Sequence, residues 1–315
     1  MIYNFALIGA AGYVAPRHLR AIKDNGQNLA SALDTSDSVG IIDSFFPDAA
    51  FFTEFERFDR HSELLRRAGE ESRIHYVSIC SPNYLHDAHI RFALREGAHA
   101  ICEKPLVLNP WNAEALQELE KESGRKVNTI LQLRLHPSII ELRNKVQTSN
   151  KIHDLELTYI TPRGKWYNYS WKGDINKSGG VATNIGIHFF DMLIWIFGTV
   201  KKSVLHYSEF NKAAGLLQLE KANIKWFLSI DKEDIGRVKG ENNFKTFRSI
   251  KIDGEEIEFS EGFTDLHTIS YKEILNGNGF SISDAIPSIQ AAFDIRNMKP
   301  EGIKGEYHPV LQQLK

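Results

Sequence analysis

The first 135 residues alternate short apolar runs with longer amphipathic stretches. The apolar runs end at glycine or at a polar residue, and the stretches between them carry apolar residues three and four positions apart. This pattern predicts strands separated by helices and favours a parallel, doubly wound sheet. Strands are predicted at residues 5–8, 29–33, 76–80, 98–102 and 127–132, helices at 14–22, 62–68, 85–95 and 110–122, and one short helix plus one strand within 37–59.

The pattern changes after residue 135, where predicted strands follow one another with few helices between them. Strands are predicted at residues 155–159, 203–207, 215–219, 225–230 and 250–259, and helices at 189–197, 266–275 and 282–297. The Asp253-Gly254 pair predicts a hairpin, because this dipeptide suits tight turns between antiparallel strands. We therefore expect an α/β protein whose second domain, residues 136–315, is an α+β domain with an open, mostly antiparallel sheet.

Composition and charge narrow the class of protein. The chain has 315 residues, of which 42% are hydrophobic and 25% charged, as in an ordinary globular protein. Its formal net charge of -2 predicts no binding to nucleic acid or to a membrane surface. The longest apolar stretch, residues 185–197, is too short to span a bilayer, and the N-terminal residues lack a signal-peptide pattern. With Cys80 and Cys102 expected as buried thiols, these features predict a cytoplasmic protein.

A glycine-containing turn follows the first predicted strand and opens a helix. A dinucleotide site needs small residues there, because the turn is tight and the backbone must approach the pyrophosphate. Backbone N–H groups at the helix start then bind the phosphates. This context favours a Rossmann-type domain over residues 1–135, although a plain strand-to-helix turn is the alternative. The predicted contacts are Gly9, Ala11, Gly12, Tyr13 and Val14.

Asp34 ends the second predicted strand of the first domain. A carboxylate at this point can accept hydrogen bonds from both ribose hydroxyls of NAD and would repel the 2′-phosphate of NADP. The residues that follow, Thr35 to Asp37, include no arginine. The pattern therefore favours NAD, and the alternative is a solvated loop carboxylate.

Two further motifs carry groups suited to proton transfer. Lys104, in Glu103-Lys104-Pro105, follows a strand, where partial burial can lower the pKa of an amine, and Pro105 can fix the turn through a cis bond. Asn184 and His188 are four residues apart and would share a face of a helix. A purely structural turn and a buried core histidine are the respective alternatives.

Taken together, these motifs resemble those of the Gfo/Idh/MocA oxidoreductases. Within that family the chain is most similar to the WlbA/WbpB group, in residues 6–18, 131–138 and 180–188. The resemblance implies oxidation of the C3 hydroxyl of UDP-N-acetyl-glucosaminuronic acid to a ketone, with NAD as the cofactor, for bacterial O-antigen and other surface polysaccharides. Members of the family are commonly tetramers or dimers joined through the open sheet, of which we expect a homotetramer, and some members regenerate NAD by reducing 2-oxoglutarate.

The resemblance also assigns roles to individual residues. Lys104 and His188 match the active-site lysine and histidine of the family, and either can be the base; Asn184 stands where many members have Asp. Further cofactor contacts are implied for Ser81, Pro82, Asn83, His86, Glu103, Lys104, Gln132, Trp171 and Lys172.

A basic residue is expected to bind the negative charges of the substrate. Arg163 is preferred over Lys165 and Arg134, because it precedes the aromatic run that contains Tyr167, whose ring could stack on the sugar or uracil. A packed surface loop is the alternative for that run.

Other functions remain open at this point. A different sugar or cyclitol dehydrogenase of the same family has the same motifs, and a non-catalytic NAD-sensing regulator would share the first domain. We expect no bound metal, because the histidines show no zinc-ligand spacing.

Overall fold

The computed structural model describes residues 2–240, 246–257 and 265–314. It divides into two compact units, residues 1–135 with 263–286 and residues 136–262 with 287–315. The described residues from 265 to 286 thus pack in the first unit, whereas the sequence pattern had assigned everything after residue 135 to the second domain. The last two residues of the strand predicted at 250–259 lie outside the described residues.

Strands and helices follow the predicted order closely. The strands are β1 (Asn4–Ile8), β2 (Asn28–Leu33), β3 (Ala50–Phe52), β4 (Tyr76–Ile79), β5 (His99–Cys102), β6 (Val127–Thr129), β7 (His153–Ile160), β8 (Val200–Ser208), β9 (Lys212–Leu219), β10 (Ala222–Ser229), β11 (Phe247–Ile252) and β12 (Glu255–Glu256). The helices are α1 (Ala15–Asp24), α2 (Phe55–Ala68), α3 (His86–Arg95), α4 (Pro110–Ser123), α5 (Pro137–Gln147), α6 (Trp166–Tyr169), α7 (Ile175–Ser178), α8 (Ile187–Phe197), α9 (Glu233–Lys239), α10 (Leu266–Leu275) and α11 (Ile282–Asn297).

The first unit contains a parallel sheet in the order β3-β2-β1-β4-β5-β6. This confirms the doubly wound sheet. Its strands are buried, and α1 covers them with residues at helical spacing, such as Leu19 and Ile22. Tyr271 and Ile274 of α10 join the same apolar cluster, which is why this late segment belongs to the first unit.

The second unit contains a sheet in the order β12-β11-β7-β10-β9-β8, in which only the β7–β10 pair is parallel among the described strands. This confirms the mostly antiparallel sheet. The sequence pattern missed α5, α6, α7 and α9. The last three have only four to seven residues, and α5 buries only Ile139 and Val146. The helical stretch Ile175–Phe197 is long and apolar enough to cross a membrane by composition, but 78% of the qualifying window is buried inside the protein.

Candidate active site

The glycine turn after β1 is as tight as the sequence requires. Gly9 has φ +92°, and a Cβ atom there would lie 2.6 Å from the backbone of Cys80 and Ser81. A Cβ atom added at Gly12 would lie 3.0 Å from the carbonyl oxygen of Gly9. Only a residue without a side chain fits at Gly9, so β1 and the end of β4 can approach closely.

The start of α1 suits a phosphate group. Its N-cap residue is Val14, no side chain caps the helix start, and Pro16 has no N–H. The N–H groups of Ala15 and Arg17 donate to the carbonyl oxygens of Gly12 and Val14. The positive end of the helix dipole still favours an anion at this point. The N–H groups of Gly9 and Ala10 already donate to the carbonyl of Leu33, so Gly9 contributes space rather than a donor.

Asp34 lies at the end of β2, beside this turn. Its Oδ2 accepts a hydrogen bond of 2.9 Å from the N–H of Ala11, and its Oδ1 accepts one of 2.9 Å from the N–H of Ser36. The carboxylate is therefore held at the turn and half-buried. This placement fits the ribose of a dinucleotide, since carboxylate oxygens accept from hydroxyl groups.

The loop after β4 is supported from inside the protein. His86 is 1% exposed, and its ring nitrogens lie 2.7 Å from the carbonyl oxygen of Pro105 and 2.9 Å from that of Ser81. Burial lowers the pKa of His86, although its contacts with these carbonyls oppose the effect. The His86 ring thus links the loop after β4 to the turn after β5, and its contact with the cofactor stays a prediction. Pro82 is half-buried and Asn83 is buried in the same loop.

The Glu103-Lys104-Pro105 turn has the cis Lys104–Pro105 bond that the sequence suggested. The Glu103 side chain points inward, where Oε1 lies 3.2 Å from Nε2 of His18 and 2.9 Å from Nε2 of His267. Two imidazoles thus occupy one carboxylate oxygen of Glu103, and its contact with the cofactor stays a prediction. Lys104 is half-buried.

Gln132 and Arg134 lie in a short 3-10 helix after β6 and have different environments. The buried Oε1 atom of Gln132 accepts no hydrogen bond within the described part of the chain, as expected for a group that meets a ligand. Arg134 is 5% exposed, donates to the carbonyl oxygen of Asp284 and stacks on Phe280. These contacts hold the guanidinium inside the first unit, and substrate binding by Arg134 stays a prediction.

In the second unit, Asn184 and His188 are both half-buried within an otherwise buried stretch from Val181 to Phe190. Asn184 lies in a π-helical turn, Ala182–Gly186, and His188 lies in α8, which follows it. The two residues are therefore not spaced as in one regular α-helix. Such turns often mark functional sites. The His188 ring lies edge-on to Tyr159, with centroids 5.9 Å apart.

Tyr167 supports Asn184. The Tyr167 ring is 2% exposed, and its hydroxyl accepts a hydrogen bond of 2.8 Å from Nδ2 of Asn184. Burial raises the pKa of Tyr167, partly offset by Asn184 and Arg163. The exposed rings of this aromatic run are those of Trp166 and Tyr169. A substrate contact of Tyr167 stays a prediction.

Cationic side chains accompany these rings in the second unit. The ammonium of Lys172 lies 4.6 Å from the ring centroid of Trp171 and 5.5 Å from that of Trp166. Lys172 also lines a cleft together with Tyr167, Arg296 and the Gly179-Gly180 pair. Arg163 is exposed.

Sequence reasoning missed the groups that bind Glu103. His18 lies in one of the stretches that carry the family resemblance, but it had no assigned role. His267 is 164 positions from Glu103, and no local pattern could pair them.

Two family models match the chain. One, described as the oxidoreductase family with an NAD-binding Rossmann fold of the Gfo/Idh/MocA type, matches residues 3–130, and the other, its C-terminal alpha/beta domain, matches residues 150–238.

Solved structures and a curated relative show the same similarity. The WlbA (WbpB) dehydrogenase from Thermus thermophilus in complex with NAD and alpha-ketoglutarate is 49% identical, with 98% of this chain and 99% of that chain covered and a TM-score of 0.92. Its complex with NAD and UDP-GlcNAcA is 48% identical, with the same coverage and a TM-score of 0.93. D-glucoside 3-dehydrogenase of Escherichia coli (strain K12) is 29% identical over 125 residues, which are 39% of this chain and 35% of that relative. The chain thus spans only about a third of that curated relative's length. These findings make the chain an oxidoreductase with NAD as its cofactor.

Proposed function

The chain belongs to the Gfo/Idh/MocA oxidoreductase family, and from that premise we propose that it oxidises the C3 hydroxyl of UDP-2-acetamido-2-deoxy-D-glucuronate to the 3-keto sugar. The observation that carries this proposal is the full-length similarity, at 48% identity, to a dehydrogenase that holds NAD and UDP-GlcNAcA. The first unit is then the NAD-binding domain, and the second binds the sugar and forms the oligomer.

The first unit has the groups that NAD requires. The positive end of the α1 dipole beside the glycine turn suits the pyrophosphate, and Asp34 suits the ribose. The buried Oε1 of Gln132, which accepts no hydrogen bond within the described residues, suits a donor on the nicotinamide side. Ser81 and Asn83 follow β4 at the same edge of the sheet. When bound, NAD accepts a hydride from the sugar carbon.

The protein supplies the acceptor for the hydroxyl proton. Lys104 or His188 removes that proton, and Asn184 orients the substrate through its amide. The hydrogen bond from Asn184 to the buried Tyr167 hydroxyl keeps the amide in one orientation. Asn184 carries no charge at any working pH, which limits proton transfer to Lys104 and His188.

The charges of a UDP-sugar acid need cationic partners. Lys172 and Arg296 line the cleft of the second unit. Arg163 is exposed and precedes Trp166 by three residues in the sequence. Guanidinium and ammonium groups suit carboxylate and diphosphate oxygens. We include Arg163, Lys172 and the half-exposed Trp171 in the substrate and nicotinamide contacts on this basis.

The wider role follows from the same premise. We propose a cytoplasmic homotetramer that supplies a nucleotide sugar for surface polysaccharide synthesis such as O-antigen. The Thermus relative has been crystallised with alpha-ketoglutarate, which supports 2-oxoglutarate as the compound that regenerates NAD here.

The decisive experiment follows NADH absorbance with purified protein, NAD and UDP-N-acetyl-glucosaminuronic acid, with and without 2-oxoglutarate, and identifies the sugar product by mass. A 3-keto sugar is the expected product. If neither condition yields it, the substrate assignment fails; inositol, glucose and glucosides, tested in parallel, then identify another dehydrogenase of the family.

Lys104→Ala separates catalysis from NAD sensing. A positioned general base accounts for about 10²–10⁴-fold in rate, and we expect a loss of that size in kcat with NAD binding retained. Lys121→Ala, on the exposed surface of α4, is the matched control. A wild type without turnover on any sugar, yet with tight NAD binding, would favour the regulatory alternative.

A further inference from the structure

A chain of buried hydrogen-bonding side chains runs through the first unit and ends at the turn that carries Lys104. We propose that this chain, the Glu103 cluster, is a clamp that fixes the Glu103-Lys104-Pro105 turn, and that His18, His267 and Tyr271 are positioning residues for Lys104. The cluster is defined by Ser78, Tyr271, His18, Glu103 and His267. The inference rests on the catalytic role proposed for Lys104.

The members of the cluster come from separate elements that meet only in the folded unit. Ser78 lies on β4, His18 on α1, Glu103 directly after β5, and His267 and Tyr271 on one face of α10. All are buried, with exposures between 0% and 6%. Since water is excluded, each hydrogen bond here restrains its partners more strongly than an exposed one would.

The distances define a continuous path. The Ser78 hydroxyl lies 2.6 Å from that of Tyr271, which lies 2.7 Å from Nδ1 of His18. Nε2 of His18 and Nε2 of His267 then meet the same oxygen, Oε1 of Glu103, at 3.2 and 2.9 Å. The other carboxylate oxygen, Oε2, accepts from the backbone N–H of Lys104 at 3.3 Å.

One protonation state satisfies this whole path. Burial lowers the pKa of His18, opposed by Glu103, and a neutral ring protonated on Nε2 donates to Glu103. Its Nδ1 then accepts from the Tyr271 hydroxyl, which in turn accepts from Ser78. Burial alone would raise the pKa of Glu103, but the hydrogen bonds from His18 and His267 hold it well below its usual range. The carboxylate is therefore ionised.

The clamp acts on Lys104 through the backbone. Both donors converge on Oε1, so the plane of the carboxylate is fixed and its Oε2 faces the amide of Lys104. Loss of either imidazole would free the carboxylate to rotate and would loosen the turn. A small misplacement of a catalytic group can cost about 10²-fold in rate, which gives the clamp a kinetic consequence beyond stability.

The same three side chains also have the composition of a metal site, with their ligand atoms within 4.8 Å of one another. The observed contacts favour hydrogen bonding, because both histidines approach one oxygen and His18 uses its other nitrogen with Tyr271. A metal would replace the protons on both Nε2 atoms. Metal content therefore provides a direct test of the clamp.

The first experiment measures hydrogen–deuterium exchange of the full-length protein and needs no turnover. Exchange in the peptide that contains Lys104 should accelerate by about 10-fold in His267→Leu, which removes the donor. It should stay within about 3-fold of wild type in His267→Gln, whose amide nitrogen can replace Nε2. His75→Gln, another buried histidine of the first unit, should leave the peptide unchanged.

The second experiment measures kcat and KM for the sugar in the same variants. The clamp predicts a fall in kcat of about 10- to 100-fold in His267→Leu with KM changed by less than about 3-fold, and substantial recovery in His267→Gln. Tyr271→Phe should lower kcat less, because it acts one bond further away. If His267→Leu does not fold, His267→Asn, which is too short to reach Glu103, replaces it in both experiments.

Three results would overturn the clamp. One is unchanged exchange and kcat in the variant that lacks the donor. Another is an equal loss in the glutamine variant, which would indicate packing alone. The third is one equivalent of zinc that co-purifies with wild type and is lost in His18→Gln. Absence of sugar turnover in the wild type would refute the proposed function instead, while the exchange data would still decide whether the clamp exists.

Discussion

Each unit buries a carboxylate, and the two units stabilise it in different ways. In the first unit, Glu103 is bound by the imidazoles of His18 and His267. In the second, the fully buried Asp234 is bound by the ammonium of Lys212 at 2.8 Å. Its other partners, with which it forms the Asp234 cluster, are Ser229, Arg237 and, through Lys212, Asp231.

The partners decide how each cluster responds to its surroundings. Lysine and arginine remain charged over the whole physiological range, so the Asp234 cluster has permanent cations against its carboxylates. Imidazoles change protonation near neutral pH and donate in defined directions. A permanent ion pair suits a structural role where the interior strands β9 and β10 begin and end, and a directional clamp suits a turn that holds a reactive side chain.

Lys212→Met should have the largest effect on stability. It leaves two aspartates of a buried cluster without their shared cation, and breaking a buried pair in this way costs about 3–5 kcal/mol. We expect a matching decrease in the free energy of unfolding in urea. Lys202→Met, on the exposed part of β8, is the control. An equal, small effect in both variants would show that Lys212 contributes no more than a surface charge.

Glu103→Gln should lower activity strongly and stability only slightly, the opposite of what we expect for Lys212→Met. The amide keeps one acceptor for the two histidines, but its NH₂ group would face the N–H of Lys104, where Oε2 now accepts. We expect a fall in kcat of about 10- to 100-fold and a change in unfolding free energy below about 2 kcal/mol. Steady-state kinetics and urea unfolding of one preparation measure both. If Glu103→Gln lost as much stability as Lys212→Met and kept its kcat, the proposed difference between the Glu103 cluster and the Asp234 cluster would be wrong.

Acid should destabilise the first cluster through His18. Burial lowers its pKa in the folded protein below the usual 6.5, so below that pH the unfolded chain binds a proton that the folded protein does not. The contribution is present above pH 6.5 and declines by about 1.4 kcal/mol per pH unit as the pH falls toward the folded pKa.

Urea unfolding between pH 7 and pH 5 tests this sign. His18→Gln should have a shallower pH dependence than wild type, by the slope of one histidine, whereas Lys202→Met should keep the wild-type slope. A variant and a wild type with the same slope would mean that His18 titrates alike in both states.

The smallest expected effect is a difference in stability between two serine-to-alanine variants, one in each cluster. Ser229 donates to the ionised Asp234 at 2.6 Å, and Ser78 bonds the neutral hydroxyl of Tyr271 at the same distance. Hydrogen bonds to charged groups contribute more, so Ser229→Ala should destabilise by about 1 kcal/mol more than Ser78→Ala. Thermal unfolding of the two variants gives the comparison, and a larger loss in Ser78→Ala would contradict it.

Element positions were largely predictable, because they depend on short-range periodicity. The bounds of α10 and α11 match the sequence prediction, while the strand expected at 127–132 ends at Thr129 and continues into a 3-10 helix. The missed helices α6, α7 and α9 are too short to show a helical period, and α5 buries only Ile139 and Val146 of its eleven residues. The assignment of α10 to a domain was wrong, since chain order does not decide which core a helix joins.

Sequence alone determined the glycine turn, the carboxylate after β2 and the Lys-Pro turn after β5, because backbone sterics and strand ends act over a few residues. Tertiary structure alone decided that Arg134 and Tyr167 are buried supports and that Glu103 faces His18 and His267. Those outcomes depend on packing between distant segments, where the cost of burying an unpaired polar group selects the partner.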